Sequence, residues 1–345
     1  MAARSMTLES LADLLGESSE FTSQLLTGDV PIDNDIAESL ADILGASKAF
    51  WLEREVQFRT ARERARSNAP TSSPAEWLGR LPISDMKKFG WISSARGPEN
   101  LLAECLRFFD VGSLVDWEAT YRPLARAAAY RLSKSYVSDP MSIVTWLRFV
   151  ETKAQHISAN NFDAVAFRKA LPNLRALTLL KDPKVFMPKL RELCAACGVA
   201  LVVAPTPQGC PASGATRLLS SGTAMIALSL RYKTDDQFWF TFFHEAGHLL
   251  LHSDRAFFLE DGSDVTQTEE DEANEFSANL LVPSETWERL SPGIKDFRSV
   301  VRQAVSIGTS PGILVGQMQH KGHLRFNQLN FLKRRLSWHA MPETV

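Results

Sequence analysis

Two histidines and a glutamate lie close together in the segment H-E-A-G-H at residues 244–248. Residues four apart on a helix share one face, about 5–6 Å apart at Cβ, so His244 and His248 could bind one metal ion. Glu245 is placed to take a proton from an attacking water molecule. Apolar residues flank the segment, which predicts a buried helix whose polar face opens on a cleft. The pattern predicts metal-dependent hydrolysis; a buried helix with two structural histidines is the alternative.

A catalytic metal needs a third protein ligand, and the acids at 269–272 are the best source. They begin a second helical pattern, where most acids are favoured simply by the helix dipole. Glu270 could bind the ion while Asn274, four residues on, steadies a histidine ligand. Glu272 is the main competitor. His252 lies too far along one straight helix to join easily, so a supporting or helix-end role is expected.

Two histidines and a carboxylate are a typical ligand set for zinc. The sequence therefore predicts Zn2+, although Mn2+ or Fe2+ could occupy the same ligands.

The sequence pattern before these residues changes along the chain from helical to strand-like. Residues 75–180 have a mostly helical pattern with aromatic anchors and no motif of their own. Residues 199–204 and 224–230 are continuous apolar runs that predict buried strands. A turn at 233–236 then leads into the H-E-A-G-H helix. The fold class predicted is α+β and predominantly helical, with a small sheet beside the active-site helix.

The segments H-E-A-G-H-L-L-L-H and E-D-E-A-N-E-F-S-A-N-L-L-V-P resemble the ImmA/IrrE family of zincin-like metallo-endopeptidases. Segments near residues 231–241 and 307–320 are also similar to longer members, so the resemblance spans roughly 185–325. It implies a gluzincin-like HExxH enzyme with His244, His248 and Glu270 on the metal and Glu245 as general base. It also implies a substrate among helix-turn-helix repressors or antitoxin-like regulators, and a role in stress response or toxin–antitoxin control.

Residues 11–28 resemble the helix-turn-helix of lambda-repressor-like and HigA-type regulators, with the usual first helix truncated. Residues 19–24 would begin the recognition helix. The first fifty residues carry two basic against nine acidic side chains, a net charge of −7. Such a surface repels phosphates, so DNA is a disfavoured partner. A dimerisation surface, which would make a homodimer, or docking on a basic partner suits this charge better.

Composition narrows the class of protein further. The 345 residues are 45% hydrophobic and 23% charged, with a net charge of −2, which is typical of a globular protein without a general attraction to nucleic acid. No secretory signal, membrane span or disulfide framework is apparent, so a cytoplasmic protein with no membrane partner is expected. The C-x-x-C pair of Cys194 and Cys197 is interpreted as two small helical residues rather than a metal or redox site.

The predicted organisation has five parts. They are a helix-turn-helix domain at 7–66, a linker at 67–74, a helical middle region at 75–180, a zincin peptidase domain at 181–325 and a C-terminal tail at 326–345. The leading hypothesis is a zinc endopeptidase that cleaves a repressor or antitoxin-like regulator. The alternative is a DNA-binding regulator or antitoxin whose zincin domain is a sensor. The intact H-E-x-x-H favours the enzyme, because a sensor has no need of a general base.

Overall fold

A computed structural model gives the fold of most of the chain. It describes residues 7–67, 73–93, 97–132, 139–252, 267–289 and 296–342. The chain divides into two compact units, residues 1–71 and 72–345, which are described separately below. Most described residues are helical and the strands form one small sheet, so the prediction of a predominantly helical α+β chain is confirmed.

The N-terminal unit consists of short helices with clear capping signals. Its helices are α1 (Leu8–Leu15), α2 (Ser19–Leu26), α3 (Asn34–Leu44) and α4 (Lys48–Ser67). Thr7, Ser18 and Asp33 each cap the following helix by accepting hydrogen bonds from backbone N–H groups. Gly16 and Gly45 end α1 and α3 in the left-handed conformation that glycine adopts without strain. The buried apolar residues are few, so this unit has a small core.

The first part of the second unit is a helical layer with an aromatic core. Its helices are α5 (Pro74–Arg80), α6 (Ile83–Lys88), α7 (Pro98–Phe109), α8 (Leu114–Leu132), α9 (Pro140–Gln155) and α10 (Ala164–Ala176). Trp77, Phe109, Trp117 and Tyr121 pack edge-to-face or stacked in its centre. Ser67 and Pro74, the two ends of the predicted linker, belong to α4 and α5, and its residues 68–72 lie outside the described residues.

A three-stranded sheet follows α11 (Pro183–Ala196). The strands are β1 (Val199–Val203), β2 (Gly214–Leu218) and β3 (Ala224–Leu228), in the spatial order β1-β3-β2. β1 and β3 are parallel, whereas β2 pairs antiparallel with β3. The two apolar runs predicted as strands are therefore β1 and β3, while β2 was not predicted.

β1 and β3 are buried on both faces, which explains their continuous apolar sequences. Leu201 and Ile226 face the core formed with α11 and the helix that follows the sheet. Ala200 and Met225, one residue earlier on each strand, face Trp146 and its neighbours on α9. The helical middle region thus covers one face of the sheet.

The remaining helices complete the second unit. They are α12 (Asp235–Leu251), α13 (Gln267–Leu281), α14 (Ser284–Arg289), α15 (Phe297–Ser306) and α16 (Pro311–His320). α12 carries the H-E-A-G-H segment and packs against α13, α16 and the sheet. No helix in the described ranges is both long and apolar enough to cross a bilayer.

Most of the predicted C-terminal tail is ordered against the core. Leu336 is buried, and Thr234 forms a backbone bridge with Arg335. Lys333 and Arg334 bind the acids at the start of α12. Residues 326–342 therefore help to fix the start of α12, and residues 343–345 lie outside the described residues. The boundaries proposed at 180/181 and 325/326 stay predictions.

Candidate metal centre

The helix α12 is held firmly at its first turn. Asp235 accepts hydrogen bonds from the Ser310 hydroxyl and the Arg334 backbone N–H, both at 2.8 Å. The buried carboxylate of Asp236 pairs with Lys333, whose Nζ lies 2.7 Å from Oδ2. Acids in a first turn also stabilise the helix dipole. These contacts fix the register of α12 against α16 and the C-terminal segment.

Two turns further on, three predicted ligands converge on one point. Nε2 of His244 and Nε2 of His248 are 3.0 Å apart. Oε2 of Glu270, on α13, lies 3.3 Å from the first nitrogen, and Oε1 lies 3.6 Å from the second. Glu270 is 42% exposed while both histidines are largely buried, so the cluster sits at the base of an opening to solvent.

These distances fit a tetrahedral metal ion. Ligands at ~2.0–2.1 Å from zinc lie about 3.3 Å from each other, which is close to the spacing found here. Two imidazole nitrogens and a carboxylate in contact also create a strongly cation-attracting point. The donor set therefore fits zinc, which His244, His248 and Glu270 would hold with the three protein ligands typical of a catalytic site.

The pKa shifts of these residues also indicate that the centre attracts cations. Hydrogen bonding to His244 and His248 holds the pKa of Glu270 well below its usual range. Burial opposes protonation of His244, yet its contacts with Glu270 and the nearby charge of Glu245 raise its pKa overall. The centre thus favours positive charge, which a proton or a metal ion can supply.

The orientation of His244 is fixed by its neighbours. Its Nδ1 lies 3.0 Å from Oδ1 of Asn274, four residues after Glu270 on α13. An amide oxygen only accepts, so Nδ1 carries the proton and the Nε2 lone pair points at the shared centre. Phe240 stacks on the ring, and the Ser277 hydroxyl donates to the Phe240 carbonyl, which ties α13 to α12.

Glu272, the competing candidate ligand, points elsewhere. Its Oε2 lies 3.7 Å from Nε2 of His252, the residue that caps the C-terminus of α12. The group of possible metal ligands found in the described part of the chain consists of His244, His248 and Glu270. The structure therefore brings together the three predicted ligands and pairs Glu272 with the helix-end histidine.

Glu245 lies beside the centre in a buried position, with 7% of its surface exposed. Burial raises the pKa of its carboxyl to about 7, against the opposing effect of His244 and His248. A carboxyl group with a pKa near neutrality can accept and return a proton during one reaction cycle. Glu245 can therefore exchange a proton beside a group of residues that could hold a metal ion.

β2 passes directly beside Glu245. A Cβ atom placed on Gly214 would lie 2.6 Å from Oε1 of Glu245, so the absence of a side chain is what allows this approach. Within the described part of the chain, β2 forms one edge of the sheet. The backbone N–H of Ser229 donates to the carbonyl of Ser213, and the N–H of Leu219 donates to the carbonyl of Thr223. These two pairs of residues are therefore hydrogen-bonded pairs between β2 and the β3 side of the sheet. By alternation, the backbone groups of Gly214, Thr216 and Leu218 face the open edge.

A groove of about 680 Å³ lies on the other side of α12, between α13 and α16. It reaches the centre through Phe240 and Asn274, which contact His244. Asp271 and Glu275 on α13 and His320 and Lys321 at the end of α16 also line it. The centre thus lies between an open strand edge and a polar groove.

Sequence reasoning missed the parts of the site that come from distant segments. β2 is mostly half-buried, and its short G-A-T-R-L sequence contains no apolar run. Its sequence therefore gave no signal for a strand. Nothing in the local sequence of Lys333 indicated its ion pair with Asp236, because the two are far apart in the chain.

The cysteines do not contribute to the site. Cys194 and Cys197 are buried at the end of α11, and burial raises the pKa of both thiols. Protonated buried thiols are poor ligands and poor nucleophiles.

Comparison with known proteins supports a metallopeptidase domain in the second unit. Residues 204–309 match the Peptidase_M78 family model, which describes an IrrE N-terminal-like domain. The match covers under a third of the chain, from the end of β1 to the residues just before α16. No curated protein and no solved structure matches the chain significantly. Residues 204–309 thus support a metallopeptidase domain of the ImmA/IrrE type.

Proposed function

We propose that the protein is a zinc-dependent endopeptidase that cleaves a protein substrate, a helix-turn-helix repressor or antitoxin-like regulator. The observation that carries the proposal is the convergence of His244, His248 and Glu270 beside the buried Glu245. The family match of the surrounding residues supports hydrolysis of peptide bonds.

Each residue has a defined task in this proposal. His244, His248 and Glu270 hold the metal, which when bound supplies Lewis acidity for amide hydrolysis. Glu245 takes the proton from the attacking water and returns it to the nitrogen of the leaving amine. The pKa of about 7 suits both transfers near neutral pH. Asn274 keeps the His244 ring in the tautomer and orientation that ligation needs.

The substrate backbone pairs with the open edge of β2 in this proposal. An extended peptide adds to a sheet edge through main-chain hydrogen bonds, with alternate side chains facing the site. Gly214 brings that edge next to Glu245, so a peptide bound there would present a carbonyl to the centre. The groove between α13 and α16 would receive side chains on the far side of the scissile bond.

The substrate class rests on the resemblance of the active-site segments and on charge. Repressors with a helix-turn-helix carry basic surfaces for phosphate binding. The net charge of −7 in the first fifty residues complements such a surface. The N-terminal unit would then recruit the substrate by electrostatic attraction rather than bind DNA.

Cleavage of a mixed peptide library tests the catalytic part of the proposal. The zinc-loaded protein and a Glu245→Gln variant would be incubated with the same library, and new termini identified by mass spectrometry. We expect cleavage by the wild type and a loss of about 10³-fold or more in the variant at equal zinc content. Equal cleavage by both proteins, or none by a fully loaded wild type, would refute the enzyme.

The substrate class needs a separate measurement. Repressors and antitoxin-like regulators encoded beside the protein's own gene would be purified and incubated with the loaded enzyme. We expect one of them to be cut at a defined bond, and more slowly at high salt because charge guides the encounter. Cleavage of the library without cleavage of any such regulator would keep the peptidase and reject the substrate class.

The alternative is a DNA-binding regulator whose metal domain is a sensor. The successive short helices α1 and α2, joined by a tight turn at Gly16, favour this alternative. DNA binding at physiological salt that changes on zinc removal, together with a Glu245→Gln variant that retains full regulatory activity, would establish it.

A further inference from the structure

A second cavity lies away from the metal centre, between the helical layer and the sheet. Its volume is about 290 Å³, close to the lower end of the range for small-molecule sites. It is lined by α8, α9 and the strand pair β2–β3. Its apolar wall includes Leu124, Leu147 and Met225.

Charged side chains of both signs face this cavity. Arg148 and Glu151 come from α9 and Arg217 comes from β2. Nη1 of Arg217 lies 2.8 Å from Oε1 of Glu151, and their side chains are about one-fifth exposed. The side chain of Arg148 is 13% exposed, its Nε donates to the Phe108 carbonyl at 3.1 Å, and its Nη2 lies 3.7 Å from Oδ2 of the exposed Asp110. Largely buried charges are costly unless they are paired. Glu151 has a close partner in the cavity wall, whereas the partner of Arg148 is an exposed carboxylate at a longer distance.

The backbone of α8 adds an acceptor. Pro123 lies inside the helix and has no N–H, so the carbonyl of Ala119 receives no hydrogen bond from it. Ala119, Thr120 and Pro123 all line the cavity. The α8 wall of the cavity thus includes a residue whose carbonyl lacks its usual helical hydrogen bond, and the arginines come from α9 and β2.

We propose that this cavity binds a free amino acid with an apolar side chain. Arg148 would bind the carboxylate, since a guanidinium forms strong charge-assisted bonds with it. Glu151 and the Ala119 carbonyl would accept from the ammonium group. The side chain would pack on Leu124, Leu147 and Met225. Both charges of the ligand are matched, whereas a simple carboxylate has no donor for Glu151 and a simple amine has no acceptor for Arg148.

Binding here would bear on the active site through β2. Arg217 lines the cavity and pairs with Met225 across the sheet. Gly214 lies three residues before Arg217 on the same strand, and its backbone is next to the side chain of Glu245. A ligand that orders Arg217 would therefore stiffen the edge to which substrate binds. This regulatory consequence rests on the proposed peptidase function, but ligand binding itself does not.

Calorimetry on the full chain tests binding directly. The standard amino acids would be titrated one at a time, followed by isocaproate and isoamylamine, which lack the amine and the carboxylate of leucine. We expect one site per chain for an apolar amino acid and at least about tenfold weaker binding of both analogues. Equal binding of isocaproate, or no binding by any amino acid, would overturn the proposal.

Variants locate the site. Arg148→Met, the isosteric Glu151→Gln and the cavity-filling Met225→Trp should each weaken binding at least about tenfold. Arg122→Met is the matched control, because Arg122 pairs with Glu118 on α8 and does not line the cavity. Thermal unfolding of each variant shows whether it folds. Undiminished binding in folded Glu151→Gln and Met225→Trp variants would place the ligand elsewhere and refute the site.

Hydrogen exchange tests the link between the cavity and β2 separately from ligand binding. The ligand should slow amide exchange in residues 214–218, and this readout needs neither metal nor peptide substrate. Binding with unchanged exchange there would keep the site and refute its link to β2. Failure of the peptidase assay would leave both measurements valid.

Discussion

Nδ1 of His244 donates a hydrogen bond to Oδ1 of Asn274 over 3.0 Å, while Nε2 of the same ring faces Glu270. Glu270 and Asn274 are four residues apart on α13 and lie on one face of it. One helix thus provides both a ligand and the group that orients another ligand. The arrangement links the position of α13 directly to metal affinity.

Replacing Asn274 by alanine should weaken zinc binding about 10–100-fold, because a lost partner of a ligating histidine has that effect. Asn274→Asp should restore much of the affinity, since a carboxylate accepts the same bond. Competition with a chromophoric chelator measures the zinc affinity of both variants. Asn279→Ala on the same helix is the control, because Asn279 contacts the exposed Glu275. Equal affinity in Asn274→Ala and Asn279→Ala would show that the bond is not needed.

Glu270→Gln and Glu272→Gln should differ sharply in metal content. The oxygens of Glu270 lie near both histidine nitrogens, whereas Glu272 pairs with His252 at the helix end. We expect about one zinc per chain in the wild type and in Glu272→Gln, and little or none in Glu270→Gln, because an amide is a poor zinc ligand. Mass spectrometry of the purified proteins gives the result. The reverse pattern would assign the third ligand to Glu272.

Gly214→Ala should impair catalysis without removing the metal. The new Cβ would lie 2.6 Å from Oε1 of Glu245 and 2.8 Å from the Thr241 methyl group, so the general base must move. A displacement of about 1 Å at a catalytic group costs on the order of 10²-fold in rate. The measurement is peptide cleavage at matched zinc content. Gly79→Ala, where a Cβ meets nothing within 4 Å, is the control.

The sequence was most informative where chemistry is local. His244, Glu245 and His248 belong to one helix, so their spacing determines their geometry. Glu270 and Asn274 were also identified from a four-residue spacing, although their distance from α12 required the fold. β1 and β3 were predicted because strands buried on both faces have continuous apolar sequences.

Elements defined by distant partners could not be predicted in the same way. β2 is a mostly half-buried strand with no run of apolar residues, so its sequence resembles a loop. Residues 326–345 were predicted to form a C-terminal tail. Its order comes from Asp235 and Asp236, nearly a hundred positions earlier in the chain.

Lys333→Met should destabilise the second unit by about 3 kcal/mol. It would leave the carboxylate of Asp236 buried without its ion-pair partner, and breaking one side of a buried pair has a cost of that size. Chemical denaturation gives the free energy of unfolding. Asp236→Asn in the same chain should recover much of the loss, because the amide is neutral. Arg335→Met, which alters an exposed neighbouring cation, should change little. Equal losses of stability in Lys333→Met and Arg335→Met would argue against a stabilising ion pair between Lys333 and Asp236.

Asp235→Asn should change how stability depends on pH. Burial raises the pKa of Asp235, with opposing effects from Ser310 and Arg334. Between the unfolded value near 3.8 and the raised native value, the native state holds more protons than the unfolded chain. The stability of the native state must therefore fall as pH rises through this window.

Asparagine at position 235 does not titrate, and its oxygen can still accept from the Arg334 backbone while its amide donates to Ser310. Denaturation curves measured from pH 4 upward should show the variant gaining stability relative to the wild type, until the native carboxyl is fully ionised. A relative loss with rising pH would mean that the attraction of Arg334 outweighs burial.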